Sequence, residues 1–338
     1  MTVPVTELES HVTAPPGEEP DDSGVQKVAG RSPTQLALAR FRKDKLSMAA
    51  FCVVALYVAT ALVAPILVKT GVLDPLTLHQ DLLDVNMGGI PKGSFGGISA
   101  DHWLGVEPGT GRDVLSRLVY GITWSLFIAL SATFVAMGIG TVLGIISGFS
   151  GGFTDSVIGR AIDLTLSFPS TMMLLALSGV AVAFMTGTLQ VPAGDVANAL
   201  YVILVLGFFG WPGIARIVRG QVLSIREREF VDAARLLGAS RGRLYFKEIL
   251  PNLWAPLLVY FTLMMPAFIS AEAALSYLQV GVKPPTPTLG NILTDSINYS
   301  VADFVFFFTP AFLIMIIVVS FNLLGDGLRD ALDPKTHR

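Results

Sequence analysis

The chain has 338 residues, of which 52% are hydrophobic and only 14% charged, with a mean hydropathy of +0.63 and a formal net charge of −3. Soluble domains carry about 25% charged residues, and here the apolar residues fall in blocks of about twenty; this excludes a soluble enzyme or soluble binding module and marks an all-α, polytopic membrane helix bundle. A single cysteine, Cys52, excludes an intrachain disulfide and a thiolate metal cluster.

Residues 1–39 read as a polar, disordered tail, because the first thirty positions are rich in Pro, Gly, Glu and Asp and hold only Lys27 as a base. The start lacks the basic and apolar regions of a signal peptide. Arg40, Arg42, Lys43 and Lys45 precede the first apolar run, 47–68, which is long enough to span. Five further spans are predicted at 122–147, 164–185, 199–217, 253–280 and 304–324, six in all. The first span and a long outer loop occupy 40–121, the core of the bundle 122–325, and a short tail 326–338. Placing both termini inside puts 18 of the 23 Lys and Arg residues on the inner side, 8 of them in 216–252. Basic inner loops set orientation, so the termini are predicted to be cytoplasmic.

Gly140, Gly144 and Gly148 recur every four residues in the second span, a spacing that lets helix backbones approach closely in lipid. Pro169, Pro212, Pro256, Pro266 and Pro310 fall in or near spans, where each frees a backbone carbonyl that neighbours must satisfy. Glu272 is the one carboxylate deep in a span. A charge there costs about 2.5–3.5 kcal/mol on the insertion scale, so it is either a pathway or ion site, or a structural carboxyl bonded to a neighbouring helix end or hydroxyl. It has no companion acid or base nearby in sequence, which favours the structural reading.

The inner loop 218–252 carries the most specific pattern. Phe230, Ala233, Ala234 and Leu237 fall at helical spacing, with Arg228, Asp232 and Arg235 at the sides. Gly238 predicts a helix stop, and Ser240 a cap for a second helix running to Leu250, with Pro251 at its end. Two short helices at a sharp turn would present an apolar knob, suited either to a groove on another protein or to anionic headgroups.

Asp232-Ala233-Ala234, then Gly238, then Leu250-Pro251 resembles the coupling loop of binding-protein-dependent ABC importer permeases. Asp232 stands where that pattern has Glu, and Glu248 stands at its Ile position with Ile249 beside it. Further segments are similar to the C-type permease of dipeptide and oligopeptide importers: His102-Trp103-Leu104-Gly105, Gly111 to Arg117, Gly148 to Gly152 with Asp155, Asp163 with Phe168-Pro169-Ser170, and Glu272 to Leu278. The resemblance covers about residues 40–334.

It implies a type I importer permease fold in the bacterial plasma membrane. It also implies a heterodimer with a second permease, two separate ATPase domains, an extracytoplasmic solute-binding protein, and membrane lipid around the bundle. Phe230, Val231, Asp232, Ala233, Ala234, Arg235, Leu237, Gly238, Ser240, Leu250 and Pro251 would form the ATPase-coupling loop. No Gly-Lys dipeptide occurs, so no P-loop lysine is present; ATP and Mg are expected on partner subunits, with no cofactor, metal or nucleic acid on this chain. A same-fold permease for nickel, glutathione or other small solutes is the alternative reading, and an ion-coupled secondary transporter using Glu272 is a rival from another class.

Overall fold

The computed structural model of the chain describes residues 33–332. Its helices, in chain order, are α1 (Pro33–Lys43), α2 (Lys45–Lys69), α3 (Val114–Ser150), α4 (Gly152–Ser167), α5 (Ser170–Gly187), α6 (Asp195–Ile225), α7 (Glu229–Leu236), α8 (Arg241–Arg243), α9 (Trp254–Tyr277), α10 (Leu289–Ile297) and α11 (Phe304–Leu332). Six of them, α2, α3, α5, α6, α9 and α11, are long and apolar enough to cross a membrane. A two-residue hairpin, β1 (Leu83–Asp84) with β2 (Ile90–Pro91), pairs antiparallel within the glycine-rich segment 70–113.

The spans agree with the apolar blocks, but several boundaries move. The tail expected over 1–39 lies outside the described residues for 1–32; from Pro33 the chain is helical, because Phe41 buries against α2 and α11. The third span, expected at 164–185, is two helices: Leu164–Ser167 close α4, extended backbone at Phe168 and Pro169 breaks the helix, and α5 begins at Ser170. A residue before proline is pushed out of the α region. At the C-terminal side, α11 continues through the expected tail as far as Leu332.

α3 and α6 form the centre of the bundle and pack together along most of their length. The glycine ladder is the reason they can. A Cβ at Gly140, Gly144 or Gly148 would fall 2.7–2.8 Å from the Cβ of Ile214, Val218 or Val222 respectively. Each of these contacts is far inside the ordinary 3.5–4.0 Å separation of carbon atoms. Small residues therefore serve helix packing within this chain. Tyr57 ties α2 to α11 by donating to the Leu313 carbonyl (2.9 Å), and Thr123 ties α3 to α2 by donating to the Ala61 carbonyl (3.0 Å). Because the six spans alternate in direction, which sets α3 and α6 parallel, α1 and the end of α11 lie at the same end of the bundle as α7, while 70–113 and α10 cover the other end.

Candidate functional site

The α7 segment hangs from one buried side chain. Val231 is fully buried among Val222, Ile225, Leu244, Ile249 and Leu253, so the first turn of α7 is pinned to the ends of α6 and α9. Arg226 reinforces this by donating from Nη1 to the Gly148 carbonyl of α3 (2.9 Å). Asp232 pairs with Arg235 one turn on (3.2 Å), and the Arg235 guanidinium lies 4.8 Å over the Phe149 ring. Phe149 in turn meets Tyr245 edge-on at 5.1 Å. A cation over an aromatic face contributes about 0.5–1 kcal/mol at an exposed site, more than the few tenths expected of an exposed ion pair.

α7 ends as Gly238 predicted. The Gly238 N–H donates to Arg235 O (2.9 Å) and the Ala239 N–H to Ala234 O (3.0 Å), with Gly238 at φ +78°. This is the paired bonding of a left-handed helix stop, which glycine adopts without a Cβ penalty. Ser240 then accepts from the Arg243 N–H (3.3 Å) and starts the next helix.

That second helix differs from the expectation. After α8 the backbone winds as a π-helix over Leu244–Ile249 and tightens to a 3-10 turn over Leu250–Asn252, so Pro251 leads towards α9 instead of closing a helix. A π-turn advances the helical phase by a residue. Ile249 thereby becomes fully buried, and Glu248 turns aside toward Arg243 at 3.7 Å. The exchange of Glu248 and Ile249 relative to the family pattern thus leaves an isoleucine in the core.

The apolar knob is also rotated from the expected face. Ala234 turns half inward behind Val231, and the exposed lobe is Phe230, Ala233, Leu236 and Leu237, the two leucines 89% and 87% accessible. Leu236 was missed because helical spacing alone groups 230, 233, 234 and 237; only the Val231 anchor sets the rotation. Gly238 has open space around it and Pro251 is exposed, while Leu250 is half-buried.

Two ion pairs that sequence reading missed flank this end. Arg219 grips Asp155 with two bonds (2.6 and 2.7 Å), and Ser147 donates to the same carboxylate. The Arg219 guanidinium and Ser147 hydroxyl hold the Asp155 carboxyl down at about 2. Arg216 pairs with Asp163 further along α4. Sixty-four positions separate Arg219 from Asp155, and no local pattern could join them.

Glu272 lies in α9 and is 2% exposed. Ser125 of α3 donates to Oε2 and Ser276 of α9 to Oε1, both at 3.0 Å, while Ser125 accepts from the Leu289 N–H at the start of α10 (3.0 Å). The carboxylate therefore staples three helices. At the same end of the bundle, Glu107 and Arg117 are buried together at 3.4 Å, with Arg112 at 3.7 Å from Glu107. Asp295 of α10 faces this group, and burial and the nearby Glu107 push its carboxyl up to about 6, against the pull of Arg117 and Arg112. His102 Nδ1 lies 2.9 Å from Asp113, which caps α3 by accepting from the Ser116 N–H (2.7 Å). The segments around His102 and Arg117 thus meet in one folded cap.

Comparison with known proteins follows the same lines. Residues 140–338 match the description "binding-protein-dependent transport system inner membrane component", and residues 32–83 match the N-terminal transmembrane domain of oligopeptide transport permease C. The chain is 36% identical to the dipeptide transport system permease protein DppC of Alkalihalophilus pseudofirmus, over 90% of each chain. It is 36% identical to the oligopeptide transport system permease protein OppC of Bacillus subtilis, over 89% of this chain and 90% of that one. Among solved structures it is similar to a chain of the MetNI methionine ABC transporter in inward-facing conformations. There the TM-score is 0.50 and the identity 21%, with 65% of this chain and 97% of that chain covered. The chain belongs to the binding-protein-dependent ABC importer permeases, as a C-type subunit of the dipeptide and oligopeptide branch.

Proposed function

We infer that this subunit forms, with a second permease, the path by which di- and oligopeptides delivered by an extracytoplasmic solute-binding protein enter a bacterial cell. Two ATPase domains on other subunits supply the energy. The observation that carries this reading is the α7 segment: two nearly bare leucines on a short helix whose base is locked into α3, α6 and α9. A knob so anchored suits a groove on another protein, and a push on it moves the bundle's central helices. Phe230, Ala233, Leu236 and Leu237 would enter the groove, Val231, Ala234 and Arg235 would hold the lever, and Gly238 and Ser240 would fix its turn. The excess of basic residues at this end supports cytoplasmic termini, with 70–113 facing the solute-binding protein.

Glu272 serves in this account as a structural staple, since both its oxygens are occupied by hydroxyl donors. Glutathione is the second substrate class with an observation behind it. The glutathione transport system permease protein GsiD of Pectobacterium atrosepticum is 36% identical over 71% of this chain, and glutathione is itself a small peptide. Uptake of a labelled dipeptide by cells lacking the chain, restored by the wild type and not by Gly238→Pro or Ala234→Asp, tests the assignment. Uptake that survives ATP depletion and collapses with the proton gradient would assign transport to an ion-coupled carrier instead.

A further inference from the structure

An apolar cleft of about 760 Å³ opens on the flank of the bundle between α1, α2, α3, α9 and α11. It has a definite depth. Its lining runs from Phe51 to Leu62 on α2, from Trp254 to Met265 on α9 and from Phe321 to Leu332 on α11. Each stretch is eleven helical steps, about 17 Å at 1.5 Å per residue. One leaflet of hydrocarbon is about 15 Å, half of a ~30 Å core. On α9 and α11 these stretches fall in the halves nearer α1, whereas Phe51–Leu62 straddles the middle of α2, so the cleft runs from the α1 end of the bundle past its mid-depth.

The surface end carries charge. Ala37, Leu38 and Phe41 of α1 line the rim, and Arg40, Arg42, Lys43 and Lys45 crowd the junction of α1 with α2. Arg42, Lys43 and Lys45 are exposed. The one acid among them, Asp44, is engaged as the cap of α2, accepting from the Leu46 and Ser47 N–H groups at 3.1 and 3.2 Å. Across the rim α11 brings Arg329 between Asp326 and Asp330, so bases outnumber acids around the opening. Trp254, the first residue of α9, lines the same rim, at the headgroup level where amphipathic rings settle.

A hydrocarbon slot at least one leaflet deep with a basic rim suits one class of molecule. Clusters of Lys and Arg directly beside a transmembrane helix attract anionic lipid headgroups, and the slot beneath accepts an acyl chain. We propose that this cleft is a binding site for an anionic phospholipid, its chain lying along α2 and α9 and its phosphate at Arg42, Lys43 and Lys45. A neutral lipid would fill the slot without using the rim, and a helix of another subunit would exclude lipid from it.

Trp254 reports the occupant directly. The full chain, with the subunits that co-purify, is placed in phosphatidylcholine vesicles in which either phosphatidylglycerol or phosphatidylcholine brominated on the acyl chains is titrated. The signal of Trp254 is isolated by difference from Trp254→Phe. Brominated phosphatidylglycerol is expected to half-quench Trp254 at about a tenfold lower mole fraction than brominated phosphatidylcholine. The triple variant R42E/K43E/K45E should erase that preference. Equal quenching by the two lipids, or a preference kept in the triple variant, overturns headgroup recognition. No quenching of Trp254 by either lipid overturns the site and leaves the cleft covered by protein. Should the triple variant fail to insert, Ala61→Phe, which fills the deep end, must lower the quenching reached at saturation; an unchanged value overturns the proposal.

Discussion

A Cβ added at Gly144 offers a measurable test of the α3–α6 seam. It would lie 2.7 Å from Val218 Cβ and 2.8 Å from the Ala215 carbonyl oxygen, where carbon contacts belong at 3.5–4.0 Å. The two helices must separate by close to 1 Å, along a seam that Gly140 and Gly148 hold equally tight. Overpacking of this kind costs about 1–3 kcal/mol. Alanine recovers about 0.5–1 kcal/mol over glycine within a helix, so Gly144→Ala should destabilise by a net of up to about 2.5 kcal/mol. Gly138 supplies the control: it lies on the same helix and has no neighbour within 4 Å of the added carbon. Gly138→Ala should therefore show only the propensity gain. The difference between the two variants isolates the packing cost, and denaturant midpoints of the purified chain in detergent measure it. Shifts of equal size and sign in both variants would refute close approach at Gly144.

Other outcomes follow from the charged groups. The Asp155 carboxyl is held down at about 2 when folded, against an ordinary value of 3.8. The Asp155–Arg219 clamp should therefore contribute fully above about pH 4 and fade as pH falls toward 2, by about 1 kcal/mol because Arg219 is partly exposed. Thermal melts of Asp155→Asn should lose that pH dependence. Asp295 is the reverse case. Its carboxyl is raised from 3.8 to about 6, so its ionisation costs stability as pH rises from about 4 to 6. Asp295→Asn should accordingly melt higher than the wild type at pH 8 and no higher at pH 4. Glu272→Gln should keep uptake because an amide still bridges hydroxyls, whereas Glu272→Ala leaves Ser125 and Ser276 unpaired and should cost about 1–3 kcal/mol in melts; loss of uptake in Gln at unchanged stability would return Glu272 to an ion-site role.

The number of spans was legible because each apolar block falls at or above the roughly 17–25 residues a bilayer demands and few charges interrupt it. Charges at helix ends blurred the boundaries. α3 starts at Val114 and not near 122, because Arg117 sits in its first turn and pairs with buried Glu107, a partnership invisible to hydropathy. The helical nature of α7 and the stop at Gly238 were legible because both are local. Its rotation was not, since Val231 finds its core only once α6 and α9 are in place. The π-turn over Leu244–Ile249 escaped for the same reason: burial of Ile249, and not any intrinsic preference, shifts the phase there.

On the proposed function, α7 is the point where an ATP-hydrolysing partner meets this chain. In a Cys52→Ser background, Leu237→Cys and Phe95→Cys place single thiols at opposite ends of the bundle, both at exposed positions. Short-linker cross-linking in native membranes should join Leu237→Cys to the ATPase subunit and Phe95→Cys to the solute-binding protein. A cross-link from Phe95→Cys to the ATPase, with none from Leu237→Cys, would contradict both the docking site and the orientation.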